Sequence, residues 1–222
     1  MALTKYNYNS FDLTTAASKG LAFNSDADGF ETSSATSMIL IKTLTASSSG
    51  DLTFVHGTSD VVLDSTYPVY LFKFYNIHPA TDDVKFSFQA NAAGGSGYNE
   101  TITSTSFGAG HIENDSATFL QYEASGDQAQ GTSFEKLTSN SSLGADNDQT
   151  FTGTLYLFNP SSTTFVKHFT SNINFVSSSD YSVNDFNAGY FNTTSAIDEI
   201  QFKMSSGNID AGTIKLYGIK DS

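Results

Sequence analysis

Alternation of apolar and polar positions dominates the chain, which is the period of a half-buried β-strand and not of a helix. Residues 38–45 (MILIKTLT) and 52–55 read as two strands flanking the turn Ser47-Ser-Ser-Gly50. Residues 69–75 place aromatic rings at positions 70, 72 and 74. Val84, Phe86 and Phe88 alternate with Lys85, Ser87 and Gln89, which predicts a strand with one wet face. Further strands are predicted at 101–107, 118–122, 151–158, 164–169, 197–204 and 213–219, separated by turn signals at 91–97, 159–162 and 205–208. About ten to twelve short strands at regular spacing predict an all-β fold, a single and mostly antiparallel β-sandwich of jelly-roll type. No convincing 3.6-residue apolar period and no internal repeat interrupts this reading.

No shift in composition divides residues 37–222, which read as one sandwich domain. Residues 1–36 differ. Tyr6, Tyr8 and Phe11 stand among polar neighbours, so this segment reads as an arm or edge strand whose aromatics dock on a partner.

Composition narrows the function. Ser, Thr and Asn make up 74 of the 222 residues and favour strands and turns over helix. Cysteine, tryptophan and arginine are absent, and all ten basic residues are lysines. Without cysteine there are no disulfides, thiolate metal sites or cysteine nucleophiles. Without arginine there is no bidentate clamp for phosphate or guanine, and a formal net charge of -13 repels nucleic acid and anionic membranes. No apolar stretch approaches the ~20 residues of a membrane span. The first residues carry no apolar signal-peptide core, so neither a membrane partner nor a secretory signal is expected.

No constellation points to catalysis, and a non-enzyme is expected. His56, His78, His111 and His168 lack ligand-type spacing such as HExxH, and no GxSxG elbow or phosphate loop is present. Gly94-Gly-Ser-Gly97 reads as a hairpin loop, and His78, directly after a strand, as a turn residue. Asn24, Asp26 and Asp28, followed by Gly29, look like the front half of a calcium loop. The twelfth position is Ala35 where a bidentate glutamate belongs, and flanking helices are not predicted. An acidic turn is therefore the favoured reading: no cofactor is expected, with loose Ca2+ binding as the one exception. The thirty Phe and Tyr residues chiefly fill the core. Tyr98, Tyr181 and Tyr190, read as loop aromatics, are candidates for stacking on a glycan or seating a partner.

The stretch Ile197-Asp-Glu-Ile-Gln-Phe-Lys-Met-Ser-Ser-Gly-Asn-Ile-Asp-Ala-Gly-Thr-Ile-Lys-Leu-Tyr-Gly-Ile219 resembles the terminal hairpin of a family of virion structural proteins from tailed bacteriophages, especially marine ones. Tyr70-Leu-Phe-Lys-Phe-Tyr-Asn-Ile-His-Pro79, with Phe86-Ser-Phe-Gln89 and Gly94-Gly95, resembles the family's central hairpin, and Leu157-Phe-Asn-Pro160-Ser-Ser162 is a third match. The resemblance covers roughly residues 38 to 222 and implies a β-sandwich at the virion surface, assembled in the host cytoplasm, with other virion proteins as partners. A homo-oligomer such as a trimer is implied by analogy, and no catalytic residue carries over. Two roles follow from it. The first is a capsid decoration (cement) subunit bound to the major capsid protein, with the N-terminal arm as attachment element. The second is a tail-fibre or receptor-binding tip that touches host glycans through loops. The first is favoured, because the chain lacks the heptad shaft or collagen-like repeat that fibres often carry.

Overall fold

The computed structural model describes residues 20–23, 30–33 and 37–221. They fall into two compact units, one ending at Ser37 and one spanning Met38–Asp221. In the first, β1 (Gly20–Phe23) and β2 (Phe30–Ser33) pair antiparallel. Phe23 stands opposite Phe30, their rings stacked with centroids 4.9 Å apart.

The second unit is a sandwich of two sheets. The large sheet holds nine strands: β3 (Met38–Thr45), β5 (Val69–Pro79), β7 (Ile102–Ile112), β8 (Thr118–Tyr122), β9 (Ala129–Gly131), β11 (Phe151–Phe158), β12 (Lys167–Val176), β13 (Tyr181–Phe191) and β15 (Ile209–Ile219). The small sheet holds β4 (Leu52–Val55), β6 (Phe86–Ala92), β10 (Glu135–Lys136) and β14 (Ile197–Met204). Across the large sheet the order is β3-β15-β5-β11-β12-β13-β7-β8, with β9 also on β7; across the small one it is β10-β6-β14-β4. Every pairing is antiparallel. The expected all-β sandwich is what forms. With thirteen strands divided nine and four it is larger than an eight-stranded jelly roll.

Inward-facing phenylalanines join the sheets. Phe54, Phe86, Phe88 and Phe202 of the small sheet meet Phe72, Phe74, Phe151 and Phe169 of the large one. The pairs Phe72–Phe202, Phe74–Phe202, Phe86–Phe151 and Phe88–Phe169 lie 4.9–5.3 Å apart, edge to face. This is the favoured geometry of aromatic pairs, and each buried ring adds about 1.5–3 kcal/mol of transfer free energy. A bulge in β15 falls at Gly212, where the register against β5 shifts between Ala211 and Thr213. Its φ is 111°, and a Cβ there would lie 2.7 Å from Ile77 Cα, so only glycine fits.

The inner face changes character toward the β7 edge. There Asp185 and Asn187 of β13 point inward beside Ser171 of β12, Ser106 and Gly108 of β7. They meet the segment after β10 instead of another aromatic layer. Asp185 Oδ2 accepts from Ser139 N (2.7 Å) and Asn140 N (3.0 Å), and Oδ1 from Asn140 Nδ2 (2.7 Å). Burial pushes the Asp185 carboxyl above the usual range, opposed by these bonds. A Cβ at Gly108 would collide with Asp185 Oδ1, so the missing side chain makes room for the carboxylate. Glu135 is also buried. Its Oε2 accepts from Ser104 Oγ (3.0 Å) and Gln128 Nε2 (2.9 Å), its Oε1 has no hydrogen-bond partner, and burial raises its pKa to about 7.

Two sequence expectations need correction. The face of β6 carrying Ser87, Gln89 and Asn91 is buried, not wet. Gln89 Nε2 donates to the carbonyls of Glu100, Thr132 and Ser133, so loops roof that face and satisfy its amide. Tyr181 and Tyr190, read as loop aromatics, belong to the eleven-residue strand β13.

Candidate binding surfaces

The outer face of the large sheet is built by the same alternation. In an antiparallel pair, residues directly opposite share a face. Phe107 on β7 stands opposite Phe186 on β13 and opposite Tyr122 on β8, while Ala109 stands opposite Leu120. The Phe107 and Phe186 rings stack at 5.2 Å with an interplanar angle of 11°. Phe107 is 46% exposed, Tyr122 56% and Leu120 80%. The Tyr122 hydroxyl bonds the Asp127 carboxylate, which fixes the ring at the rim of this patch. Strand β8 (TFLQY) has no charged residue and no proline. Natural edge strands usually carry such blockers against pairing with another chain.

A cleft of about 1140 Å3 opens at one end of the sandwich. Its walls are the segment 65–68 before β5, the loop 159–166 between β11 and β12, Thr194, and Lys220–Asp221 after β15. Hydrogen bonds hold these walls. Asn159 N donates to Pro68 O (2.8 Å) and Ile197 N to Pro160 O (2.8 Å). Asn159 adopts φ 44°, a left-handed turn conformation that asparagine tolerates. Ser162 Oγ accepts from Thr164 N (3.3 Å) and Phe165 N (3.1 Å), setting the direction of Phe165, which is 73% exposed at the lip. Beneath the rim, the buried Lys167 donates from Nζ to Thr193 O (3.1 Å) and Ser195 O (2.5 Å). Burial pulls its pKa down from the usual lysine range. On the outer face His168 and Tyr190 lie 5.8 Å apart. His168 lines both the cleft and a shallow depression shared with Thr103, Thr105 and Tyr190.

Of the residues singled out from sequence, Tyr6, Tyr8, Phe11, Asn24, Asp26 and Asp28 lie outside the described residues. The segments on either side of 24–29 are the strands β1 and β2, not the helices of an EF-hand-type calcium loop. Tyr98 does lie in a loop, but its hydroxyl donates to Glu199 Oε2 at 2.5 Å and pins the loop onto β14. Burial raises its pKa to about 12, with the Glu199 bond adding to the effect. Tyr181 and Tyr190 are not loop residues. They begin and nearly end β13. Tyr181 packs on the core beside Phe119, at 5.9 Å. The three tyrosines are not brought together, and Tyr190 lines the shallow depression beside His168.

Phe107, Leu120, Phe186 and Phe165 are among the exposed aromatics and aliphatics that sequence reasoning passed over. Phe165 carried a readable signal: it is a lone aromatic in the polar turn Ser161-Ser-Thr-Thr164. Among the described residues no histidine ring is hydrogen-bonded to a serine, threonine or tyrosine hydroxyl. His56 Nδ1 accepts from Leu63 N (3.1 Å), His78 Nε2 meets Asp146 O (3.2 Å) and His111 Nε2 meets Asp115 Oδ1 (2.9 Å). Comparisons of the chain with protein-family models, with curated proteins and with solved structures found no match.

Proposed function

We propose that this chain is a phage virion structural protein that works by binding and not by catalysis, and that it decorates the capsid surface. The observation that carries this reading is the uncharged β8 edge with Phe107, Phe186, Leu120 and Tyr122 exposed beside it. A soluble chain of net charge -13 that keeps such a patch open gains from covering it with another protein. The resemblance of residues 38 to 222 to virion proteins supplies the class of partner: the major capsid protein, or further copies of the chain itself. The second reading, a tail-fibre or receptor-binding tip, draws on the cleft at the loop end.

Quantitative mass spectrometry of purified virions tests the choice. Copies matching the capsid lattice support decoration, and a small number matching tail symmetry supports the tip. Leu120→Glu combined with Phe107→Asp is expected to abolish attachment to virions lacking the protein while the purified domain still melts cooperatively. Attachment at wild-type affinity would overturn the role of this patch.

A further inference from the structure

We infer that the loop-end cleft is a binding site for an uncharged oligosaccharide. The inference stands apart from the proposed attachment through β8 and holds for either position on the particle. It begins with charge. Among the described residues that line it, the one carboxylate is Asp221 and the one ammonium is Lys220, so these two cancel. One carboxylate is too few for a divalent cation. An anionic ligand would meet no excess of positive charge here and would approach against the field of a chain of net charge -13.

The lining then selects among neutral ligands. Tyr67, Phe158 and Phe165 present apolar ring surface, while Asn159 and the serine and threonine hydroxyls of both walls present donors and acceptors. A lipid or other wholly apolar ligand would bury those polar groups unpaired, which opposes its binding. A sugar ring carries both complements: an apolar C–H face for the aromatics and a rim of hydroxyls for the side chains. Strand addition by a peptide has no foothold. The strands behind the walls, β5, β11, β12 and β15, are each paired on both sides, and the walls themselves are loops.

Size and rigidity point the same way. The cleft exceeds the roughly 300–1,000 Å3 of ordinary small-molecule pockets. It has room for a chain of sugars, not one ring. Its walls are fixed in advance by Ser162, by the bond of Asn159 to Pro68 and by Lys167 from below. Tyr67 is held too: its ring lies 5.7 Å from Tyr70 and against Gly218, where a Cβ would strike it. Phe165, by contrast, projects into solvent from a fixed turn, the placement of a stacking platform and not of a core residue.

The test is a glycan array probed with the full-length protein, followed by calorimetry with the best neutral oligosaccharide and with sialylated and sulfated controls. Binding to neutral chains is expected, and Phe165→Ala is expected to weaken it at least about tenfold with an unchanged melting temperature. Asn159→Gly keeps the left-handed turn and removes the side-chain amide, and a comparable weakening is expected. The inference is overturned if no neutral glycan binds, if anionic glycans bind better, if both variants bind like wild type, or if a peptide spanning residues 1–19 occupies the cleft instead. Binding of the two variants to virions lacking the protein separates this result from the attachment reading, which predicts no change for either.

Discussion

The inner face of the large sheet has two halves that solve burial in different ways. Under β5, β11 and β15 it is apolar: Phe72, Phe74, Leu155, Leu157, Ile214 and Leu216 meet the phenylalanines of the small sheet. Under β7 and β13 it is polar: Asp185 and Asn187 meet the backbone of residues 137–140, and the Ser106 hydroxyl bonds the Ser139 hydroxyl. The first half is held by non-directional burial, which tolerates small shifts at a graded cost. The second is held by directed bonds to buried groups, in which one missing partner leaves others unsatisfied. The apolar half anchors the sandwich. The polar half lets a long connection, with Ser139 and Asn140 at its centre, take the place of a strand layer over β7 and β13.

The largest expected effect lies in the apolar half. Phe202 contacts Phe54, Phe72, Phe74, Phe86 and Phe88, with centroids 5.2–6.2 Å away. Phe202→Ala is expected to cost about 3–5 kcal/mol in denaturant unfolding. In the polar half Asp185→Ala removes the acceptor of Ser139 N and Asn140 N and is expected to cost about 2–4 kcal/mol. The two halves differ more sharply when leucine replaces each side chain. Phe202→Leu should recover much of the loss, while Asp185→Leu should recover none, because no hydrophobe satisfies the two amides. Equal recovery at both sites would erase the distinction.

A smaller effect depends on pH. Glu135 titrates near 7 in the folded protein and near 4.5 when unfolded, because burial outweighs its bonds to Gln128 and Ser104. Between these values the folded state holds a proton that the unfolded state has released, so stability falls as pH rises through the window. The full difference is up to about 3 kcal/mol, present below pH ~4.5 and gone above ~7. Glu135→Gln keeps the shape without the charge and is expected to flatten the profile between pH 5 and about 8 and to raise stability at the upper end. Asp185 is shifted in the same direction, so a slope of the same sign remains in the variant. A variant whose pH profile matches wild type would place the ionisation elsewhere.

The same contrast explains what was legible in the sequence. Strands β3, β4, β8, β11 and β14 are readable with their observed bounds, because apolar, aromatic and β-branched residues gather in short runs bounded by turn signals. Strand β13 is not. Its inward positions are Val183, Asp185, Asn187, Gly189 and Phe191, and the polar residues in the middle break the hydrophobic alternation. Tyr181 and Tyr190 therefore read as loop aromatics. The face of β6 carrying Ser87, Gln89 and Asn91 misleads in the opposite sense: it reads as wet, yet distant loops bury it, and no local pattern encodes a roof supplied by residues 100 and 132–133. The candidate sites were less legible still. The stack of Phe107 on Phe186 depends on the register of two strands some eighty residues apart in sequence, one of them β13 itself. The cleft gathers segments from four parts of the chain.

The smallest expected effect on stability is at Leu120, and it separates fold from function most cleanly. On β8, Phe119 and Leu120 are neighbours of opposite orientation. Phe119 packs on the core and on Gly110, while Leu120 is 80% exposed. Leu120→Lys removes little buried area, so the change in unfolding free energy is expected to stay within about 0.5 kcal/mol. It also places the charge that natural edge strands use to prevent pairing. If β8 is the contact edge, the variant should sediment as a monomer over a concentration range in which the wild-type chain self-associates, or should fail to coat virions that wild type coats. Phe119→Ala is the counterpart: a loss of stability of about 3 kcal/mol or more is expected, with the exposed patch unchanged. A Leu120→Lys protein that unfolds early would mean Leu120 belongs to the core. One that folds, self-associates and attaches as wild type would remove β8 from the binding surface and leave the loop-end cleft as the better candidate.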